Sequence, residues 1–288
     1  MTIDNHEVTS ETGWQLGRPS KPTRAMISRI LAPVVFSERC AWAARYASRL
    51  ADTFAAELVF VHVGEDSDQR LTTFLTSVIG EGRYHSLTVQ GDAADRIVET
   101  AKERGSDLIV MPTYSRGTFR RLLLGSVTAK VLHDVDCPVL TGVHHDRDPM
   151  IVPDKIRHIV AAVDRGPGCL QVIQWATDLA KQLNASLKIV HAVPAADETS
   201  DNHGEIAVRR SLIQEATDAF DRDLAEQHLT SPVQIAGGDV VRVVREAVLT
   251  EHADLVVIGR SCTDRFLGRL RTHTYEIVWK SPCPVVSI

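Results

Sequence analysis

The sequence predicts an α/β protein made of two tandem, doubly wound domains, each built on a five-stranded parallel sheet. The chain repeats itself: Ile30-Leu31-Ala32-Pro33-Val34-Val35 returns as Ile159-Val160-Ala161-Ala162-Val163-Asp164, and Val61-His62-Val63 as Val190-His191-Ala192, both 129 positions on. Gly91-Asp92 and Asp107-Leu108-Ile109-Val110 return as Gly238-Asp239 and Asp254-Leu255-Val256-Val257, now 147 positions on. A duplication of this length signals a repeated structural unit. Within each copy, short apolar runs alternate with stretches of helical period, which implies crossover helices and a parallel sheet. The strand runs are continuously apolar rather than alternating, as expected of strands covered on both faces.

Residues 1–26 are polar, carry Gly13, Gly17, Pro19 and Pro22, and lack the apolar stretch of a signal peptide; they read as a flexible tail. The first domain spans 27–146, with strand runs at 30–35, 58–63, 86–89, 107–112 and 138–143. Its first helix places Ala43, Tyr46, Ala47, Leu50 and Phe54 on one stripe, and the twin helix places Ile173, Ala176, Ala180 and Leu183 likewise. A short second helix runs around Leu71, Leu75 and Val78. A linker at 147–154 leads to the second domain at 155–288. There the offset grows from 129 to 147, so about 18 residues are added between the second and third strands. They lengthen one helix, with a stripe of Val208, Leu212, Ala216, Phe220 and Leu224 running to about His228. Each copy closes on a Cys-Pro-Val triplet, Cys137-Pro138-Val139 and Cys283-Pro284-Val285.

With 32 Lys plus Arg against 37 Asp plus Glu, the net charge of −5 gives no whole-chain basic field for nucleic acid. No apolar run approaches the roughly 20 residues needed to span a bilayer. Five scattered cysteines without a C-x-x-C pair fit a reducing cytoplasm better than a disulfide framework. Walker, G-x-G-x-x-G, H-E-x-x-H, G-x-S-x-G, S-G-G-x-D-S and H-x-G-H patterns are all missing, so an enzyme reading has little to stand on.

In an open parallel sheet, ligands sit beyond the carboxyl ends of the strands where strand order reverses. This directs attention to 35–37, 63–65 and 112–124 in the first copy, and to 164–166, 192–194 and 259–271 in the second. The fourth strand of the first copy runs through Met111-Pro112-Thr113-Tyr114-Ser115-Arg116-Gly117 to Gly125-Ser126-Val127, where Ser126 opens a helix. Glycines let backbone approach phosphates closely, and Gly-Ser at a helix start offers amides and a hydroxyl. This segment, with Cys137-Pro138-Val139 behind it, resembles the universal stress protein family, whose nucleotide-binding members carry G-x-x-G-x9-G-[ST] here. The resemblance runs once per half from about residue 27 to Ile288, as in a tandem member.

The resemblance implies two sheets packed as an intramolecular pseudo-dimer whose last strands, 139–143 and 285–288, pair. It implies ATP with Mg²⁺ as ligand, read by an Asp after the first strand and flanked by backbone after the second, at Val63 and Ala192. In the first copy Gly125, Ser126 and Val127 match the phosphate pattern, Pro112 and Ser115 stand at its first two glycines, and Val35 stands at the Asp. In the second copy Asp164 and Gly259 match, while Cys262, Thr272 and His273 replace Gly, Gly and Ser or Thr. The first copy thus keeps a phosphate cradle and the second a base reader. Arg116, Arg120, Arg121, Arg260, Arg265, Arg269 and Arg271 either hold phosphate oxygens or form a solvated loop face.

Three functions stay open: a cytoplasmic stress-response regulatory module with degenerate adenine-nucleotide sites, an ATP-binding and at most weakly hydrolysing switch, and a nucleotide-free scaffold for unknown protein partners. Asp164 either binds adenine or caps the next helix. His62 and His191, being twins, read as packing residues, the Cys-Pro pairs as strand entries, and His144-His145-Asp146 as linker polarity rather than a metal site. Cys262 reads as a substituted glycine rather than a reactive thiol.

Overall fold

The structure, a computed structural model, describes residues 26–113, 125–142, 152–166, 168–194, 203–227, 229, 231–260 and 270–288, with backbone alone at 203, 205 and 270–272. The first half runs β1 (Arg29–Pro33), α1 (Glu38–Phe54), β2 (Glu57–Val63), α2 (Asp68–Ile79), β3 (His85–Val89), α3 (Ala93–Arg104), β4 (Leu108–Met111), α4 (Ser126–Asp134) and β5 (Val139–Thr141). The second runs β6 (His158–Ala162), α5 (Cys169–Leu183), β7 (Ser186–Val193), α6 (His203–Glu226), β8 (Val233–Gly237), α7 (Val240–Thr250), β9 (Leu255–Ile258), α8 (Leu270–Lys280) and β10 (Val285–Ser287).

All ten strands join one sheet in the order β3-β2-β1-β4-β5-β10-β9-β6-β7-β8. Every pairing is parallel except β5 with β10. The last strands therefore meet as the resemblance implied. Leu140 lies opposite Val286, its own twin 146 residues on, while Val139 faces Ser287 and Thr141 faces Val285. The register is thus that of a two-fold axis.

Residues alternate between the two faces of this sheet. Ile30, Ala32, Leu58, Phe60, Leu108 and Val110 point to α1 and α2, and one apolar cluster continues from them through Leu140 and Val286 to α5 and Phe220 and Leu224 of α6. On the opposite face, Leu31, Val59, Val61 and Ile109 pack under α3 and α4. There Val160, Val190, Val256 and Val285 pack under α7 and α8 as a separate cluster. The predicted α1 stripe is buried throughout, and on α5 Ile173, Ala176 and Ala180 are buried with Leu183 half-buried. The α6 stripe needs correction: Ala216, Phe220 and Leu224 are buried, but Leu212 is half-buried and Val208 is 59% exposed. The stripe's periodicity thus continues into the N-terminal part of this 24-residue helix, where Val208 is left exposed.

The repeated words have local structural reasons. Gly91 and Gly238 adopt φ of 128° and 123°, a region that favours glycine. Asp92 and Asp239 follow as N-caps of α3 and α7, accepting amide hydrogen bonds from Ala94 and Asp95 and from Arg242. Asp107 accepts from the amides of Ser28 and Arg29, and Asp254 from those of Arg157 and His158, so each carboxylate pins the start of its half's first strand.

Candidate functional site

In each half the first strand lies between the second and fourth, so the crevice beyond β1 is flanked by β2 and β4, and that beyond β6 by β7 and β9. Val63 is the last residue of β2 and Ala192 sits one residue before the end of β7. Gly259 follows β9 directly, and Gly125 is the N-cap of α4. Of the predicted site residues, Ser115 and Arg116 lie outside the described residues, as do Arg120, Arg121, Cys262, Arg265, Arg269 and His144-His145-Asp146.

The twin histidines hold the crevice walls. His62 Nδ1 lies 2.9 Å from the Val34 carbonyl and His191 Nδ1 2.8 Å from that of Val163. A carbonyl only accepts, so Nδ1 carries the proton in both rings. Each ring thereby ties the end of its second strand to the loop after its first, the packing role their duplication suggested. A Cβ on Gly64 would lie 2.7 Å from His62 Nε2, so only glycine fits the bend above that ring.

Beyond these rings the halves diverge. In the first, Phe36 packs on His62 with centroids 4.6 Å apart, meets the edge of Phe74 at 5.6 Å, and lies beneath the Arg70 guanidinium at 4.2 Å. Asp66 faces His62 Nε2 at 3.2 Å and pairs with Arg70, which holds the Asp66 carboxyl below the usual carboxylate range. Val35 is 39% exposed, and its amide donates to Cys40 Sγ at 3.3 Å. The space between the ends of β1 and β2 is thus lined by the protein's own aromatic side chains.

In the second half Arg165 stands at the Phe36 position, and His191 packs instead on Phe220 of α6, centroids 5.0 Å apart. Asp164 is exposed at the end of β6, and one oxygen accepts the Gly166 amide at 2.9 Å. It does not cap α5, whose N-cap is Gly168 without a side-chain bond; the capping alternative is replaced by a two-residue turn. Gly259 has a packing reason too, since a Cβ there would come 3.2 Å from Val172 Cγ2.

Gly125, Ser126 and Val127 stand at the start of α4. Gly125 makes no side-chain cap and Ser126 is exposed, so the first-turn amides lack a side-chain acceptor among the described residues. In the second half the residue-by-residue comparison shifts by one. Thr128 Oγ1 donates to the Pro112 carbonyl and Thr274 Oγ1 to the Gly259 carbonyl, and both last strands follow at an offset of 146. Thr272, not His273, therefore takes the register of Ser126, and Arg271 that of Gly125. In that Gly-[ST] pair the hydroxyl residue is retained and the glycine is lost, while Cys262 stands at the pattern's second glycine.

Arg260 is half-buried and reaches across to the other half. Its guanidinium donates to the carbonyls of Leu132, Val135 and Cys137 at the far end of α4 in the other half. The described cysteines offer no activated thiol: burial raises all four, Cys137 to about 11 and Cys169 and Cys283 to about 12. No group of three or more metal-ligating side chains occurs among the described residues, and no described helix is long and apolar enough to cross a membrane.

A sequence model of the universal stress protein family matches residues 75–141 and 155–288. A universal stress protein of Methanocaldococcus jannaschii is 28% identical over 138 residues, 40% of this chain and 81% of that protein. The universal stress protein in the QAH/OAS sulfhydrylase 3' region of Thermus aquaticus is 39% identical over 64 residues, 22% of this chain and 47% of that protein. Among solved structures, a functionally unknown protein of Pseudomonas aeruginosa PAO1 superposes with a TM-score of 0.69 at 19% identity, covering 92% of this chain and 94% of its own. A universal stress protein of Archaeoglobus fulgidus gives 0.62 at 18% identity over 90% and 95%. These two likenesses bear on the fold and extend across both halves. With its family match covering well over half of the sequence, the chain belongs to the universal stress protein family.

Proposed function

We propose that the chain is a cytoplasmic stress-response binding module whose two halves, 27–146 and 155–288, have divided the ancestral site, the second half facing the adenine nucleotide. The carrying observation is Asp164, an exposed carboxylate at the mouth of the crevice between β7 and β9, where the equivalent crevice of the first half is lined by Phe36, Val35 and Phe74. A carboxylate there is suited to accept from an exocyclic amine, with the Ala192 backbone alongside and Gly259 at the start of the phosphate-side loop. The family match supports this asymmetry: it covers the second half from 155 onward but begins only at 75 in the first, beyond Val35 and Phe36. Gly125, Ser126 and Val127 keep the first half's anion-facing helix start without a base reader beside it. Mg²⁺ would enter with the triphosphate. No chemical step is required of such a module.

The test is thermal denaturation with and without Mg-ATP. A ligand at 100 times its Kd adds about 2.7 kcal/mol. The wild type and Gly125→Asp are expected to shift upward, and Asp164→Ala to shift far less. A shift lost in Gly125→Asp but kept in Asp164→Ala would move the site to the first half. No shift in the wild type would leave a nucleotide-free scaffold.

A further inference from the structure

Two bonds hold the residue before Asp164 against β7. The Val163 amide donates to the Val190 carbonyl at 3.0 Å, and the Val163 carbonyl accepts from His191 Nδ1 at 2.8 Å. Both polar backbone groups of Val163 are thus fixed by residues 190 and 191, and the next residues along the two segments are Asp164 and Ala192. The His191 ring is itself seated against Phe220 of α6, centroids 5.0 Å apart. Downstream, the Gly166 amide donates to one Asp164 oxygen at 2.9 Å, and the second oxygen of that exposed carboxylate is an acceptor for a partner from outside. The base reader is therefore held from both sides, by His191 through the peptide before it and by Gly166 through its own carboxylate.

A hydrogen bond weakens steeply as its angle departs from linear, so a recognition group must be aimed as well as present. An exocyclic amine meets both the Asp164 carboxylate and the backbone at Ala192 only where the spacing between those two segments is fixed. The first half supplies the comparison. There the Val34 amide donates to the Val61 carbonyl at 2.8 Å and the Val34 carbonyl accepts from His62 Nδ1 at 2.9 Å. The same frame aims Val35, whose side chain has no polar atom. Losing the histidine bond thus has its structural cost in both halves, but a consequence for base recognition in the second alone.

We propose that His191 is a positioning residue for the base: its bond to Val163 sets the Asp164 carboxylate against the Ala192 backbone, and so sets a preference of the second half for adenine over hypoxanthine. Adenine offers an amine at its sixth position, where hypoxanthine offers an oxygen that a carboxylate repels. The inference rests on the reading that Asp164 faces the base.

The test measures the Kd of Mg-ATP and of Mg-ITP by calorimetry on the full chain, with melting curves alongside. The wild type is expected to prefer Mg-ATP by about tenfold or more, as for one hydrogen bond to a charged acceptor, and Asp164→Ala to lose that preference. His191→Phe, which keeps a ring against Phe220 but has no donor, should bring the two ligands close to parity with Mg-ITP binding little changed. His191→Asn, which keeps a donor near Val163, should retain most of the preference. His62→Phe deletes the twin bond; it should melt lower, as His191→Phe does, yet keep the wild-type preference, which separates positioning from stability. Should His191→Phe fail to fold, His191→Leu carries the same test. A preference kept without the His191 donor but lost in Asp164→Ala, or one lost equally in His62→Phe, would overturn the positioning role alone. A wild type that does not prefer Mg-ATP, or a preference that survives Asp164→Ala, would overturn the reading beneath it and this inference with it.

Discussion

His191 and His62 make the same hydrogen bond, yet their surroundings give them different consequences. His62 has a carboxylate, Asp66, at its second nitrogen, whereas His191 has the apolar ring of Phe220. Burial disfavours the charged form of His191 and lowers its pKa from 6.5, outweighing the Val163 carbonyl that would favour the cation. A histidine depressed in the folded state contributes stability that is complete above the unfolded value. That contribution is lost as pH falls from about 6.5 through the lower folded value, because the unfolded chain then binds the proton first. Urea midpoints should therefore fall between pH 6.5 and pH 5, and His191→Asn, which keeps a donor near Val163, should flatten that fall. An unchanged slope would assign the acid sensitivity to other groups.

Elements were legible where a local rule fixed them. The Gly-Asp words before α3 and α7 are one such rule, a left-handed glycine followed by a capping carboxylate, and the repeat marked both positions. Asp92→Ala and Asp239→Ala should each cost about 1 kcal/mol by chemical denaturation, the usual loss for an N-cap; Asp92 also meets Lys130, so its loss is expected to be the larger of the two. A pair of neutral substitutions would show that flanking packing, not the cap, starts these helices. The α6 stripe was over-read because helical periodicity continues past the point where the sheet ends: Val208 keeps the spacing of Ala216 and Phe220 but has little beneath it. The phosphate-side loop was mis-registered by one residue for a related reason. Its length differs between the halves: the offset falls from 147 at Asp107 and Asp254 to 146 at Cys137 and Cys283, and the Thr128 and Thr274 hydroxyl bonds, which join residues 16 and 15 apart, place the deletion before the helix rather than after it. Asp164 stands out in the sequence by its position after a strand, but its bond to Gly166 depends on loop conformation, which residue type alone leaves open.

At the scale of the whole molecule, the joining of the last strands was legible from the family resemblance, while the contacts of Arg260 across the seam were not, because its partners lie 123 to 128 residues away in the sequence. The consequence for stability follows from how the core is divided. On the face of α3, α4, α7 and α8 each half has its own apolar cluster, which alone would permit the halves to unfold separately. On the other face a single cluster runs from Phe54 and Trp42 through Leu140 and Val286 to Ile173 and Phe220, so neither half can open without stripping the seam. Chains of this length commonly unfold in more than one step, yet the continuous face predicts a single cooperative transition here. Calorimetry should give equal calorimetric and van't Hoff enthalpies. Trp42→Ala, which empties a buried site in the shared cluster, should lower that one transition by about 3–5 kcal/mol without splitting it. Two resolved transitions in the wild type would mean that the two separate clusters, and not the shared one, set the unit of folding.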